Sequence, residues 1–182
     1  MSKAIGMAEY QTVSAGIRAA DLMVKTADVE IIEAQVVCPG KYIVLISGEL
    51  SAVRASVDAA KAIYENKLID SFVLGNPDDS IFPAIYGANA IENKNALGVL
   101  ETFSAASIIV AADMAAKTAD VQLIELRIAK GMCGKSYLLM TGEVASVQAA
   151  VDKVKGDLKE TSMFLDSSVI ANPDKKMWKN IL

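Results

Sequence analysis

A thiol at the tip of a short chain reversal is the most reactive group in this sequence. Cys38 lies in Val36-Val37-Cys38-Pro39-Gly40-Lys41, between an apolar run from Val29 to Val37 and another from Tyr42 to Ile46. Pro39 restricts the backbone and Gly40 permits a tight return, so the pattern predicts a hairpin whose tip presents the sulfur. A second cysteine, Cys133, sits in the glycine-rich stretch Lys130-Gly131-Met132-Cys133-Gly134-Lys135. Soft thiolates favour iron–sulfur clusters or zinc over hard cations. A cysteine taken alone reads equally well as a small buried hydrophobe, and that reading stays open for both. Two cysteines build no disulfide framework, and in a reducing compartment both are expected as thiols.

The rest of the inventory narrows the chemistry. Histidine is absent, which removes the commonest general base, the Ser-His and Cys-His couples and every His-containing zinc site. Glu9 and Glu101, like Asp21 and Asp113, occupy matching places in the two halves of the chain. A paired-carboxylate enzyme needs two such groups together in a cleft, and nothing in the spacing indicates one. No catalytic residue is assigned, and a non-enzyme is expected. A net charge of −4 with a pI near 4.9 leaves no basic cluster for phosphates, since Lys175, Lys176 and Lys179 make too small a group. Nucleic acid is therefore excluded as a partner. No apolar run reaches the about eighteen residues that a membrane span needs, and Met1-Ser2-Lys3-Ala4 has no signal pattern, so a cytoplasmic protein without membrane contact is expected.

The elements that position the thiols come from a duplication. Ala4-Ile5-Gly6-Met7-Ala8-Glu9 returns as Ala96-Leu97-Gly98-Val99-Leu100-Glu101, and Lys25-Thr26-Ala27-Asp28-Val29 returns as Lys117-Thr118-Ala119-Asp120-Val121. Ser47-Gly48-Glu49 returns as Thr141-Gly142-Glu143, and Asp70-Ser71 as Asp166-Ser167. So long a period fits a duplicated domain rather than a solenoid unit. Two domains are expected, residues 1–90 and 95–182, joined through the polar stretch from Asn89 to Asn95. Each copy reads strand, helix, strand, strand, helix, strand. In the first copy the strands are Ile5–Glu9, Glu30–Val37, Tyr42–Ser47 and Leu68–Leu74. The helices are Ser14–Lys25, with Ser14 as its cap, and Ser51–Tyr64. The order βαββαβ predicts an α+β, ferredoxin-like domain with both helices on one face of an antiparallel sheet. A short helical turn is expected over Pro83–Tyr86, and Trp178 is expected to anchor the C-terminal tail.

The repeated Lys-Thr-Ala-Asp-Val, the glycine-rich loop Lys130–Lys135, the Gly-Glu after the third strand and the duplication resemble the shell proteins of bacterial microcompartments. Ile5-Gly6, Cys38-Pro39-Gly40-Lys41, Asp70-Ser71 with Val73-Leu74, and Met177-Trp178 are similar to the tandem-domain, iron–sulfur-binding members from propanediol-utilisation compartments. The resemblance implies that two tandem BMC domains per chain close, as a homotrimer, into a pseudo-hexameric tile around a central pore. Pro39, Gly40, Gly131, Met132, Cys133 and Gly134 would line that pore, and Lys25 and Lys117 would lie at the tile edge, against other shell proteins. It also implies that Cys38 from three subunits holds a [4Fe-4S] cluster for electron transfer across the shell, with a luminal redox enzyme as a partner. A cyclic trimer presents each residue three times around its axis, and a cubane has three-fold axes through an iron corner, so three thiolates leave the fourth iron open. Zinc on three sulfurs ranks second. Counted back from Gly40 and Gly134, Cys133 aligns with Pro39, not with Cys38. Asn76-Pro77-Asp78 and Asn172-Pro173-Asp174 depart from the arginine that members often carry there, which implies a different or weaker edge contact. Two competing readings are a metabolite-transport pore without a cluster and a small-molecule-binding regulator.

Overall fold

The computed structural model describes residues 4–91 and 94–181. The first half contains β1 (Ala4–Tyr10), α1 (Val13–Thr26), β2 (Val29–Val37), β3 (Lys41–Gly48), α2 (Leu50–Ile63), β4 (Leu68–Leu74) and a short α3 (Ile81–Ile85). The second half repeats it as β5 (Ala96–Thr102), α4 (Ala105–Thr118), β6 (Val121–Arg127), β7 (Ser136–Gly142), α5 (Val144–Leu158), β8 (Phe164–Ile170) and α6 (Lys175–Ile181). The sheets run β2-β3-β1-β4 and β6-β7-β5-β8, with every recorded strand pair antiparallel. This is the α+β, ferredoxin-like arrangement that the element order predicts. The expected link from Asn89 to Asn95 falls partly, at Glu92 and Asn93, outside the described residues, as does the expected N-terminal Met1-Ser2-Lys3.

Helices α1 and α2 pack on one face of the first sheet, burying Ala19, Met23, Val53, Val57 and Ala60 against Ala8, Tyr10, Val44 and Ile46. Glycine allows this closeness: a Cβ at Gly6 would stand 2.7 Å from Val53 and 2.8 Å from Val57. The opposite face of that sheet is also covered. Ile5, Met7, Ile43, Leu45 and Phe72 share a core with Ala105, Ile108, Ile109 and Ala112 of α4. Helix α4 is thus held between two sheets, which is why β1 is buried along its whole length and why β1 and β3 read as nearly continuous apolar runs. In the second sheet β8 alternates between half-buried and exposed, as expected of a strand with one face open.

Two details correct the sequence reading. Helix α1 starts earlier than expected, and its cap is Thr12, not Ser14: Thr12 has extended backbone angles and its hydroxyl accepts from the Ala15 N–H at 3.4 Å. The short helix after β4 covers Ile81–Ile85, with Tyr86 just past its end. Trp178 does anchor the tail, packing on Leu97 and Ile124.

Candidate functional site

Both hairpin tips lie together at one end of the molecule. In the first, β2 and β3 pair as far as Val37 opposite Lys41, and Cys38, Pro39 and Gly40 make the reversal, closed by a bond from the Gly40 N–H to the Val37 carbonyl at 2.9 Å. The second tip is longer, running from 128 to 135 between β6 and β7. Its backbone turns at four left-handed residues, Ala129, Gly131, Cys133 and Gly134. The Lys135 N–H closes onto the Met132 carbonyl at 3.0 Å. Cys133 takes φ 52° without the freedom of glycine, which turns its side chain out to an exposed position.

The tips touch. The Cys38 N–H donates to the Ala129 carbonyl at 3.1 Å. A Cβ on Gly134 would stand 3.1 Å from both Pro39 Cδ and Lys41 Cε, so the absence of a side chain there lets the second loop lie on the first. Lys41 ties them: its Nζ lies 2.9 Å from Glu9 Oε1 and 3.2 Å from each of the Phe103 and Gly134 carbonyls. Glu9 is fully buried, and its other oxygen accepts from the Ala105 N–H at 2.8 Å, at the first turn of α4. Burial pushes the Glu9 carboxyl above its ordinary range, against the opposing pull of Lys41 and the α4 amides. A looser ion pair, Lys130 to Glu33 at 3.6 Å, joins the second loop to strand β2.

Cys38 is half-buried and Cys133 exposed, and both are free thiols. Among the described residues no three His, Cys, Asp or Glu side chains are grouped so as to hold a metal. A single chain therefore offers one sulfur per tip and no complete ligand set. The expected pore residues Pro39, Gly40, Gly131, Met132, Cys133 and Gly134 all belong to these two tips. Lys25 and Lys117 lie elsewhere, at the ends of α1 and α4. Lys25 is exposed and pairs with Asp21 at 2.6 Å, whereas Lys117 pairs with Asp113 at 2.7 Å and also donates to the Asn76 carbonyl of the first half. Of the carboxylates, Glu9 pairs with Lys41 and accepts from the first turn of α4.

Sequence reasoning missed a second polar group on the open face of the second sheet. There the Tyr137 hydroxyl donates to Glu125 at 2.7 Å and Arg127 pairs with the same carboxylate at 2.5 Å. Burial, helped by Glu125, pushes the Tyr137 hydroxyl up to about 12. The corresponding position of the first sheet is the buried Ile43. That contrast between the copies was the available signal.

The BMC domain, as a family description, matches the chain twice, over residues 4–77 and 96–173. The chain belongs to the BMC-domain family. Along its whole length it is 35% identical over 182 residues to the bacterial microcompartment shell protein PduT of Citrobacter freundii, a match that covers 100% of this chain and 99% of that protein. The crystal structure of a microcompartment protein from Desulfitobacterium hafniense DCB superposes with a TM-score of 0.85 at 44% identity, covering 98% of this chain and 99% of the other. A fused, permuted hexameric shell protein from the RMM microcompartment shares the fold alone, with a TM-score of 0.67 at 22% identity over 88% of this chain and 83% of its own. Tandem BMC domains and shell-protein relatives make this BMC chain a structural component of a microcompartment shell. No helix among the described residues is long and apolar enough to cross a membrane.

Proposed function

We propose that this BMC chain forms a trimeric shell tile whose central pore carries a [4Fe-4S] cluster held by Cys38 of three subunits. The observation that carries this reading is the joined pair of hairpin tips, with Cys38 bonded through its amide to the second loop and its thiol free. Around a three-fold axis the same pair repeats, and three Cys38 sulfurs meet the requirement that one chain cannot. The donor set suits the group, since thiolates are its usual ligands. When bound, the cluster supplies a one-electron couple on the axis of the tile, suited to electron transfer across the shell toward a luminal redox enzyme. The chain's own part is to fix the sulfur: Lys41, Glu9 and the Ala129 carbonyl hold the Cys38 turn against its neighbour. The likeness to PduT supports a compartment of the propanediol-utilisation kind. Lys25 and Lys117, half-exposed or more at helix ends, would then meet neighbouring tiles and other shell proteins.

A second reading, a metabolite pore without a cluster, draws on the exposed second loop, where Gly131 and Gly134 leave backbone groups available to polar solutes. Iron and acid-labile sulfide, measured after anaerobic reconstitution together with the visible spectrum, decide between them. The expected result is about four of each per trimer, lost in Cys38→Ala and retained in Cys133→Ala, as a three-thiolate cubane requires. A trimer that takes up neither iron nor sulfide overturns the cluster and leaves the open pore.

A further inference from the structure

The second domain closes one corner with a ring that the first domain lacks. Trp178, on α6, packs on Leu97 and Ile124 and is only 6% exposed. By the repeat, the same three positions in the first domain are Phe82, Ile5 and Ile32. There the smaller ring of Phe82 stays half-buried and lines a cavity of about 270 Å³, whose other apolar walls are Ile5, Ile32 and Pro77. The cavity lies at the end of the β1–β3 ladder where Ile5 pairs with Ser47, far along both strands from Tyr10 and Tyr42 and so from the hairpin tips. An apolar cavity of about 150 Å³ already admits benzene, so this one takes a ring system with a short substituent.

The polar groups around the cavity differ from their counterparts in the same sense. Ser47 is 7% exposed and lines the cavity, and its hydroxyl has no hydrogen-bond partner among the described residues. Its counterpart Thr141 is satisfied within the fold, donating to the Ala96 carbonyl at 2.9 Å and accepting from the Asn95 N–H at 3.3 Å. A buried hydroxyl left without a partner costs free energy, which a ligand's own polar group recovers. Two carboxylates complete the lining, and neither is in an ion pair among the described residues. Asp78 is used by the fold, accepting from the Ser80 N–H at 3.0 Å. Asp79 is exposed, and its side chain has no hydrogen-bond partner among the described residues. In the second domain the position of Asp79 is held by Lys175, three residues before Trp178. That domain supplies a ring and an ammonium from its own helix, where the first offers a cavity and a carboxylate.

We infer that the first domain binds a small aromatic amine in this cavity, with its ring against Ile5, Ile32 and Phe82, a ring N–H or hydroxyl bonded to Ser47, and its ammonium at Asp79. The three contacts select together. A ring without the amine fills the apolar walls but leaves Asp79 to water, and a ring bearing a carboxylate meets two like charges. There is one such site per chain, since Trp178 and Lys175 occupy the equivalent corner of the second domain. The site needs neither the cluster nor the trimer, and it stands or falls separately from them.

Isothermal titration of the full chain with tryptamine, indole and indole-3-acetate tests this. Tryptamine is expected to bind at one site per chain, about threefold tighter than indole, the worth of one solvent-exposed ion pair. Indole-3-acetate should bind more weakly than indole. Phe82→Trp, which gives the first domain the ring of the second, should abolish binding of all three. Ser47→Ala should weaken tryptamine and indole alike by about threefold to tenfold, the worth of one hydrogen bond. Asp79→Lys should erase the preference for the amine and leave indole unchanged. No saturable binding of tryptamine, or binding that Phe82→Trp leaves as it was, overturns the site. Indole-3-acetate bound as tightly as tryptamine overturns the amine, and a preference that survives Asp79→Lys overturns the role given to Asp79. If Phe82→Trp fails to fold, the Asp79→Lys result, at an exposed position, decides.

Discussion

Glu9 carries its carboxylate where water does not reach. Lys41 and the Ala105 amide compensate for that position, and both come from outside its own strand: Lys41 from β3 and the amide from the second domain. Truncating one partner of a buried ion pair strands the other, a change that typically costs about 3–5 kcal/mol. Lys41 retains some access to water, so Glu9→Ala is expected to cost about 3 kcal/mol, at the low end of that range, in urea unfolding at neutral pH. The pH dependence has a definite sign. Burial raises the Glu9 pKa above its ordinary 4.5, so the folded protein favours the protonated form. The stability this group contributes is complete below about pH 4.5 and is lost as pH rises through the folded-state value. Measured as wild type minus Glu9→Gln in a pH series of urea titrations, the difference should fall upward from that point and then level off. A difference that climbs with pH would mean that Lys41 outweighs burial.

At the scale of elements, the two β1-type strands each admit a helix through a glycine. A Cβ at Gly98 would stand 2.7 Å from Val147 and 2.9 Å from Met140, much as one at Gly6 meets Val53 and Val57. Overpacking of this kind costs about 1–3 kcal/mol, so Gly98→Ala is expected to lose that much in chemical denaturation. Pairing it with Val147→Ala should recover part of the loss, because the overlap with Val147 is relieved even though two methyl groups go. These elements were legible because the pattern is local: alternation and helical spacing repeat in both copies, and the Cys38-Pro39-Gly40 reversal carries its own turn chemistry. The cap of α1 was not, since Ser14 and Thr12 are both hydroxyls near the helix start. The repeat held the answer, because Thr12 corresponds to Ser104, which caps α4, whereas Ser14 corresponds to Ala106, which has no side-chain acceptor. The tie between Lys41 and Gly134 joins residues far apart in the chain and has no local signature. Only the fold brings Glu9, Lys41 and the second loop together, so the anchoring of the candidate site was hidden while its sulfur was visible.

The whole molecule presents two kinds of surface, and they call for different tests. One is apolar or open, with Ile17 and Val24 exposed on α1 and Asp166 and Ser168 exposed on the second sheet. Lys25 and Lys117, by contrast, sit at helix ends with much of their length in water, Lys25 paired only to Asp21 one helical turn back. Exposed pairs of the Lys25–Asp21 type contribute about 0–1 kcal/mol, so Lys25 does not govern whether the chain folds. If tile edges meet through them, their loss acts on assembly alone. In Lys25→Ala, the trimer measured by sedimentation should persist with its unfolding midpoint nearly unchanged, while flat arrays seen by electron microscopy should disappear. Lys117 also holds the Asn76 carbonyl across the two halves and is paired with the buried Asp113, so Lys117→Ala should add a loss of stability to the same assembly defect. Arrays that form undiminished in a variant carrying both Lys25→Ala and Lys117→Ala would move the edge contact to other residues, and the Asn-Pro-Asp turn at Asn76, whose carbonyl accepts from Lys117, would be the next to change.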